Sequence, residues 1–468
     1  MLFNSYEYLL AFLPISAILY FTLIRQGWMT SAKVWLVIAS LAFYSWWGLA
    51  YLPLITFSIF VNYATGTALS IARISQQGRK GLLAAGIVFN LGLLGYFKYA
   101  NFFVDNLNNL TGSDIHLARI ALPLAISFFT FQKIAYLIDS YRAETVGYNF
   151  LDYALFVTFF PQLIAGPIVH HKEMVRQFAG KLSPRDYGSI ATGLSVLSIG
   201  LFKKVMIADT FAVFADSGFD DTTSITCLGA WVASLSYTFQ LYFDFSGYAD
   251  MAIGSALIFN IKLPINFNSP YQAIEIQDFW RRWHITLSRF LRDYLYIPLG
   301  GNRHGKLATY TNLFLTFLIG GLWHGASWMF VIWGAMHGAA VVVHRVWSQA
   351  GRTMPTILAW LLTFNFVNIA WVFFRAKDMT SARRILSGMA DLGDGSLFKM
   401  FDIDQRYATI LIGVALGIVL LGKPTVVFCT QSDHEERSSV ISGAALAISL
   451  VAMSFVTAGA SQFLYFNF

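Results

Sequence analysis

Histidine is the side chain in this sequence best suited to proton transfer near neutral pH, and nine occur in 468 residues. His324 stands in L-I-G-G-L-W-H-G-A-S-W, Leu318 to Trp328, between two apolar runs. An ionisable group at membrane depth is costly and tends to be functional. Gly320, Gly321 and Gly325 leave room for a close backbone approach or for a substrate. A packing role, with a neutral imidazole hydrogen-bonded between helices, stays open. His284 follows F-W-R-R-W. It sits at about 80° on a helical wheel, on the edge of an apolar arc. There it either points into a protein interior or rests at an interface with no further role. His337 and His344 lie seven apart on one helix face and read as packing residues. His116, His304 and His434 fall in polar loops and read as solvated. His170 and His171 follow Gly166-Pro167. Adjacent side chains are expected to point apart, so no shared metal, and no metal site, is expected. No H-E-x-x-H, serine nucleophile elbow or phosphate loop occurs.

Further polar groups inside apolar runs are Lys133, Asp139, Asp244, Asp250 and Asn260. Asp244 and Asp250 are six apart, which is not one helix face. Asp244 and Ser246 are therefore expected to cap or break a helix. A transporter also uses such groups at midplane helix breaks.

The elements that must position these residues follow from composition. Hydrophobic residues make up 56%, aromatics 17% and charged residues 12% of the chain, and mean hydropathy is +0.57. That charge is about half the usual soluble share, too little for a water-facing surface. A disordered chain, a disulfide scaffold and an ordinary cytosolic enzyme are excluded. Continuous apolar runs argue against a β-barrel. The net charge of +7 reads as a positive-inside bias rather than a nucleic-acid surface. The two cysteines, Cys227 and Cys429, build neither a metal site nor a disulfide framework. The first apolar run reads as a retained membrane helix rather than a signal peptide.

Candidate spans lie at 7–24, 34–50, 54–72, 82–97, 121–138, 151–169, 190–208, 229–259, 308–322, 326–344, 356–374, 407–422 and 440–458. The expected fold is an all-α polytopic membrane protein, one integral domain over 1–468. It has about ten full spans plus re-entrant elements near 151–169 and 308–344. Basic loops marked by Arg25 and Lys33, by Arg73, Arg79 and Lys80, by Lys172, Arg176, Lys181 and Arg185, and by Arg281 to Lys306 read as cytoplasmic. The acidic loop holding Asp209, Asp216, Asp220 and Asp221 reads as external, and both termini fall outside. Within Ile274–Leu295, residues Ile276, Phe279, Trp280, Trp283, Leu287, Phe290, Leu291 and Tyr294 share an arc of about 120°. Asp278, Arg281, Arg282, Arg289, Arg292 and Asp293 lie opposite, and Ile285 is the exception. One amphipathic helix in the plane of the cytoplasmic leaflet is expected.

Five ordered segments resemble the membrane-bound O-acyltransferase (MBOAT) superfamily. They are P-Q-L-I-A-G-P-I (161–168), Y-F-D-F-S-G-Y-A-D-M-A-I-G (242–254), N-F-N-S-P-Y (266–271), F-W-R-R-W-H-I-T-L-S-R-F-L-R-D-Y-L-Y-I-P-L-G-G-N-R (279–303) and L-W-H-G-A-S-W (322–328). Within it the chain is most similar to the bacterial polysaccharide branch, which includes alginate O-acetylation proteins. The resemblance covers nearly the whole chain. It implies an acyltransferase with a helical ring around a thin centre and a tunnel. It places the family's histidine at His324 and its second polar position at His284. It implies acetyl-CoA as cytoplasmic donor, periplasmic acetyltransferase subunits as partners and an exported polysaccharide as final acceptor. Alginate leads that reading and bacterial cellulose follows; peptidoglycan is an acceptor of close relatives, and the motifs do not distinguish them. No nucleic acid is implied, and the bacterial inner membrane is the implied location.

The chemistry fits the residues. O-acyl transfer needs a base near a hydroxyl, a polarised thioester carbonyl and exclusion of water. Neutral His324 can take the hydroxyl proton, while His284 positions the donor or stabilises developing charge. Arg281 and Arg282, with Arg289 and Arg292, face the cytoplasm where the CoA phosphates arrive; a snorkelling positive-inside face is the alternative for all four. A second class of function is a transporter or exporter of a polymer or acyl carrier, with His324 as a pathway residue. It expects a symmetric repeat pair, and none is visible. A membrane scaffold for a periplasmic enzyme is a third.

Overall fold

The structure is a computed structural model and describes residues 1–70, 74–179, 186–221, 225–391, 403–431, 443 and 462–464. Every regular element among them is helical. Glu7–Arg25, Leu49–Ser70, Gln76–Thr111, Tyr187–Asp220, Trp328–Gln349 and Thr356–Arg375 are long and apolar enough to cross a membrane. The chain is an all-α polytopic membrane protein. The apolar run at 440–458 apart from residue 443, the basic markers Arg73, Lys181 and Arg185, and His434 lie outside the described residues. The chain packs as two compact units. One holds Met1–Leu197 and Met251–Pro264, the other Ser198–Asp250 and Ile265–Asp433.

In the first unit, polar groups at helix depth are matched across helices. Asn62 and Asn90 donate to each other's side-chain oxygens at 3.1 and 2.6 Å. Lys133 donates to Ser58 Oγ at 2.9 Å and lies over the Phe129 ring. Around 151–169 the chain forms Phe150–Thr158 and Phe160–Leu163, both too short to span and broken at Phe159. Every residue from Asp152 to Val169 is buried. That is the condition under which broken backbone survives at membrane depth.

In the second unit, the helix Cys227–Ile258 supplies Cys227 to Asp250 and runs without a break. The expected cap or break at Asp244 and Ser246 is not there. Asp244 instead accepts from Lys204 at 2.6 Å, and Asp250 from Lys203 at 2.7 Å. Opposite charge, not a helix end, makes these carboxylates tolerable in an apolar setting. Arg375 reaches Asp216 and Asp220 at 2.8 and 3.2 Å.

At 308–344 the structure has a hairpin of Gly305–His324 and Trp328–Gln349, joined by only Gly325–Ser327. At 20 and 22 residues these helices are each about 30 Å long, and of the two only Trp328–Gln349 is apolar enough over its length to count as a spanning helix. Glycines set their spacing. A methyl on Gly321 would collide with Phe330 O and stand 2.9 Å from Gly334 Cα, and one on Gly338 would stand 3.0 Å from Phe314 O. One expectation is corrected here: Ile274–Leu295 is not one helix. Ile276–Arg282 ends, His284 takes a left-handed backbone at φ 43°, and Ile285–Leu291 begins a new helix. Asn266 builds the break: its Oδ1 accepts from Thr286 N at 3.2 Å and Thr286 Oγ1 at 2.9 Å. Ile285, the one residue off the wheel, marks where the helical phase resets.

Candidate active site

His324 ends the helix Gly305–His324 and is 4% exposed. Three rings hold it: Trp323 at 4.9 Å, Trp333 at 5.1 Å and Phe374 at 5.3 Å between centroids. The turn that follows tolerates no side chain at Gly325, because a methyl there would collide with the Phe330 ring. Glycine at this position therefore secures the bend that leaves His324 at a helix terminus.

His324 lines a cavity of about 240 Å³. Leu313, Thr316, Phe317 and Gly320 continue the lining along its own helix. Their spacing is that of a single helix face, and Leu313 to His324 covers about 16 Å. Trp333 and Arg345 come from the antiparallel helix, with Trp280, Ser288, Arg292 and Tyr296 from the broken segment. Because the two helices run oppositely, Arg345 lies towards the start of Gly305–His324 and Trp333 near its end. The cavity thus carries the Arg345 guanidinium towards one end and His324 towards the other, with Arg292 also in its lining. Arg292 is braced by Asp293 through two contacts, at 2.7 and 3.1 Å. The Nε of Arg345 is buried with no hydrogen-bond partner, a state that costs free energy unless a ligand completes it.

His284 is not in that lining. It is fully buried, edge-on to Phe245 at 4.8 Å, with Nδ1 3.2 Å from Asn266 Oδ1. Asn266 Oδ1 also receives a backbone N–H, so it is an acceptor and His284 Nδ1 carries the proton. Burial pushes the His284 imidazole down to about 3, so at neutral pH it is uncharged. Its left-handed backbone is an uncommon conformation for a side chain of this size. Asn266 and the surrounding rings fix it. His284 shapes the broken segment whose Trp280, Ser288 and Arg292 form one cavity wall.

Arg281 is exposed and Arg282 pairs with Asp278 at 2.8 Å; neither lines the cavity. Arg289 is absent from the lining, while Arg292 is present. Arg345 is the arginine the sequence reading overlooked. Its signal was a charge set in an apolar run one residue after His344. His337, read as packing, is fully buried and its Nδ1 accepts from Trp280 Nε1 at 3.1 Å. It steadies a ring of the cavity wall. His344 reaches Glu275 at 3.1 Å in a larger groove of about 500 Å³, which does not include His324. His170 and His171 do not point apart: both reach Asp139.

An all-α membrane fold with a buried histidine and two arginines lining one cavity has the groups a membrane-embedded transferase site needs. The comparisons agree. Residues 78–381 match the MBOAT, membrane-bound O-acyltransferase family, and this chain belongs to it. It is an O-acyltransferase. It is 49% identical to a peptidoglycan O-acetyltransferase of Helicobacter pylori, over all of this chain and 98% of that protein. It is 42% identical to the probable alginate O-acetylase AlgI of Pseudomonas aeruginosa, over 92% of this chain and 81% of that one. A teichoic acid D-alanyltransferase of Bacillus subtilis is 29% identical over 54% of this chain and 69% of its own.

Proposed function

We propose that this protein is a bacterial inner-membrane O-acetyltransferase that passes acetyl groups from cytoplasmic acetyl-CoA towards an exported cell-envelope polysaccharide. The observation that carries the reading is the single cavity joining Arg345 and Arg292 to His324. Guanidinium groups in the cavity wall suit the phosphates of a CoA-type donor. Apolar walls over about 16 Å suit the slender thioester arm and keep water from the reacting carbonyl. Neutral His324 takes the acceptor hydroxyl proton as oxygen attacks the thioester carbonyl, and returns it to the departing thiolate. His284, neutral and buried, is a positioning residue for the wall and not a second base.

The full-length match to a peptidoglycan O-acetyltransferase favours peptidoglycan as acceptor over alginate and cellulose. Periplasmic acetyltransferase subunits are the partners that would carry the group onward. Deleting the gene and measuring O-acetylated muropeptides by mass spectrometry tests this. Loss of acetylation, restored by the intact gene, is expected. Unchanged muropeptides with loss of acetyl groups from another exported polymer would move the acceptor. Retention of all envelope acetylation would defeat the proposal.

A further inference from the structure

Asp139 closes the helix Ile126–Tyr141 and is 1% exposed. His171 opens the helix His171–Ala179, directly after His170. Consecutive side chains at a helix start normally diverge by about 100°. Here both rings turn onto one atom: Asp139 Oδ2 is 3.0 Å from His170 Nε2 and 2.8 Å from His171 Nε2. The ring centroids are 4.4 Å apart, and the three donor atoms lie within 4.8 Å of one another. Arg142 engages the other carboxylate oxygen at 3.2 Å.

We propose that Asp139, His170 and His171 form a binding site for a first-row divalent transition-metal ion. Two imidazole nitrogens and one carboxylate oxygen are donors such ions favour. At metal–ligand lengths of about 2.0–2.1 Å, atoms 2.8–3.0 Å apart subtend about 90° at the ion. Those two angles suit neighbouring positions of an octahedral ion better than a closed tetrahedron, and three protein donors leave positions for water or another ligand. His170 is partly exposed, at 23%, and supplies the path in. Tyr148 Oη stands 3.0 Å from His171 Nδ1 and fixes that ring from behind, as outer partners of ligating histidines do.

The protons balance without net release. Without an ion, each Nε2–H donates to Asp139 Oδ2, and His170 Nδ1 accepts the Lys172 N–H at 3.3 Å. On binding, each Nε2 lone pair goes to the ion and its proton moves to Nδ1. Tyr148 Oη then accepts a hydrogen bond from the His171 Nδ1–H, and the partly exposed His170 ring turns its Nδ1–H to water. The site ties the start of one helix to the end of another and is independent of His324.

The test uses the full chain, purified in detergent without a polyhistidine tag and titrated with Co²⁺, then with Zn²⁺ as competitor. One equivalent of Co²⁺ giving visible absorption that Zn²⁺ removes is expected. Asp139→Asn and His170→Gln should each weaken it roughly tenfold or more, and His116→Gln, at the exposed His116–Asp114 pair, should not. Cu²⁺ loaded into the unaltered chain should show nitrogen couplings from two imidazoles. If Asp139→Asn fails to accumulate, His170→Gln at the partly exposed position decides. No saturable Co²⁺ uptake by the unaltered chain, or uptake that survives His170→Gln, leaves a plain His–Asp–His hydrogen-bonded clamp and overturns the proposal.

Discussion

Trp333 stands edge-on to His324, with centroids 5.1 Å apart and planes at 88°, and lies nearly parallel to Trp371 at 5.7 Å. One ring therefore orients the imidazole on one side and is itself packed on the other. Trp333→Ala should cost about 3–5 kcal/mol of stability through the void it leaves, read as a lower unfolding temperature in detergent. Trp333→Phe should cost less and keep more turnover. Equal acetyl-transfer rates for folded Trp333→Ala and the unaltered protein would show that the ring only packs.

The arginines separate two readings of donor binding. Arg345 lines the cavity with a buried Nε, whereas Arg281 is exposed and Arg282 is held by Asp278. Arg345→Gln should raise KM for acetyl-CoA by roughly 10- to 100-fold, the worth of a hydrogen bond to a charged group at about 1.5–3 kcal/mol. The double variant Arg281→Gln, Arg282→Gln should change KM little. The opposite ranking would return the phosphates to the surface arginines first inferred from the sequence.

The histidine between two apolar runs, the all-helical membrane class and the close backbone approach at Gly321 were legible because each rests on local pattern. The break at His284 was not, although Ile285 showed a slipped phase. Its cause, Asn266, lies 18 residues away in the chain, and helical periodicity contains no long-range term. The Lys204–Asp244 pair was missed for the same reason: a lone carboxylate in a run reads as a cap until its partner, 40 residues distant, is known. The convergence of His170 and His171 also depends on Asp139, from a separate helix.

Glycines offer a test of opposite signs. A methyl on Gly321 meets backbone of the facing helix, while one on Gly413 meets nothing within 4 Å. Gly321→Ala should lower the unfolding temperature or the yield of folded protein. Gly413→Ala, within the helix Ile403–Leu421, should be neutral or stabilise by about 0.5–1 kcal/mol. Equal tolerance of both in thermal melts would mean that the hairpin can spread.

Acid should expose the cost of burying His284. Its folded value is about 3, against about 6.5 when unfolded. The unfolded chain therefore binds the extra proton as pH falls below 6.5, and stability drops with it. Between pH 6.5 and 5 this one group can cost about 2 kcal/mol. Melting curves at pH 7.5 and 5.0 should separate for the unaltered protein and converge for His284→Asn. Identical acid sensitivity in the variant would assign it to other groups.

His324 carries the sharpest prediction because it is the histidine in the cavity lining. His324→Ala should abolish acetyl transfer, with general-base loss alone costing roughly 10²–10⁴-fold, while protein stays in the membrane. His324→Gln keeps a polar side chain of similar reach but cannot accept the proton, so it should fail as well. His337→Asn is the informative control. His337 receives the Trp280 N–H and touches that wall ring, yet does not line the cavity. Its loss should shift KM for the donor more than kcat, because it changes the fit of the wall and not the proton transfer. The measurement is acetyl-CoA turnover with both constants resolved, beside membrane protein level, for all three variants. His324→Gln matching the unaltered kcat at equal expression would make His324 a packing residue. The base would then have to be sought elsewhere, and not at His284, whose buried neutral ring stands outside the cavity lining.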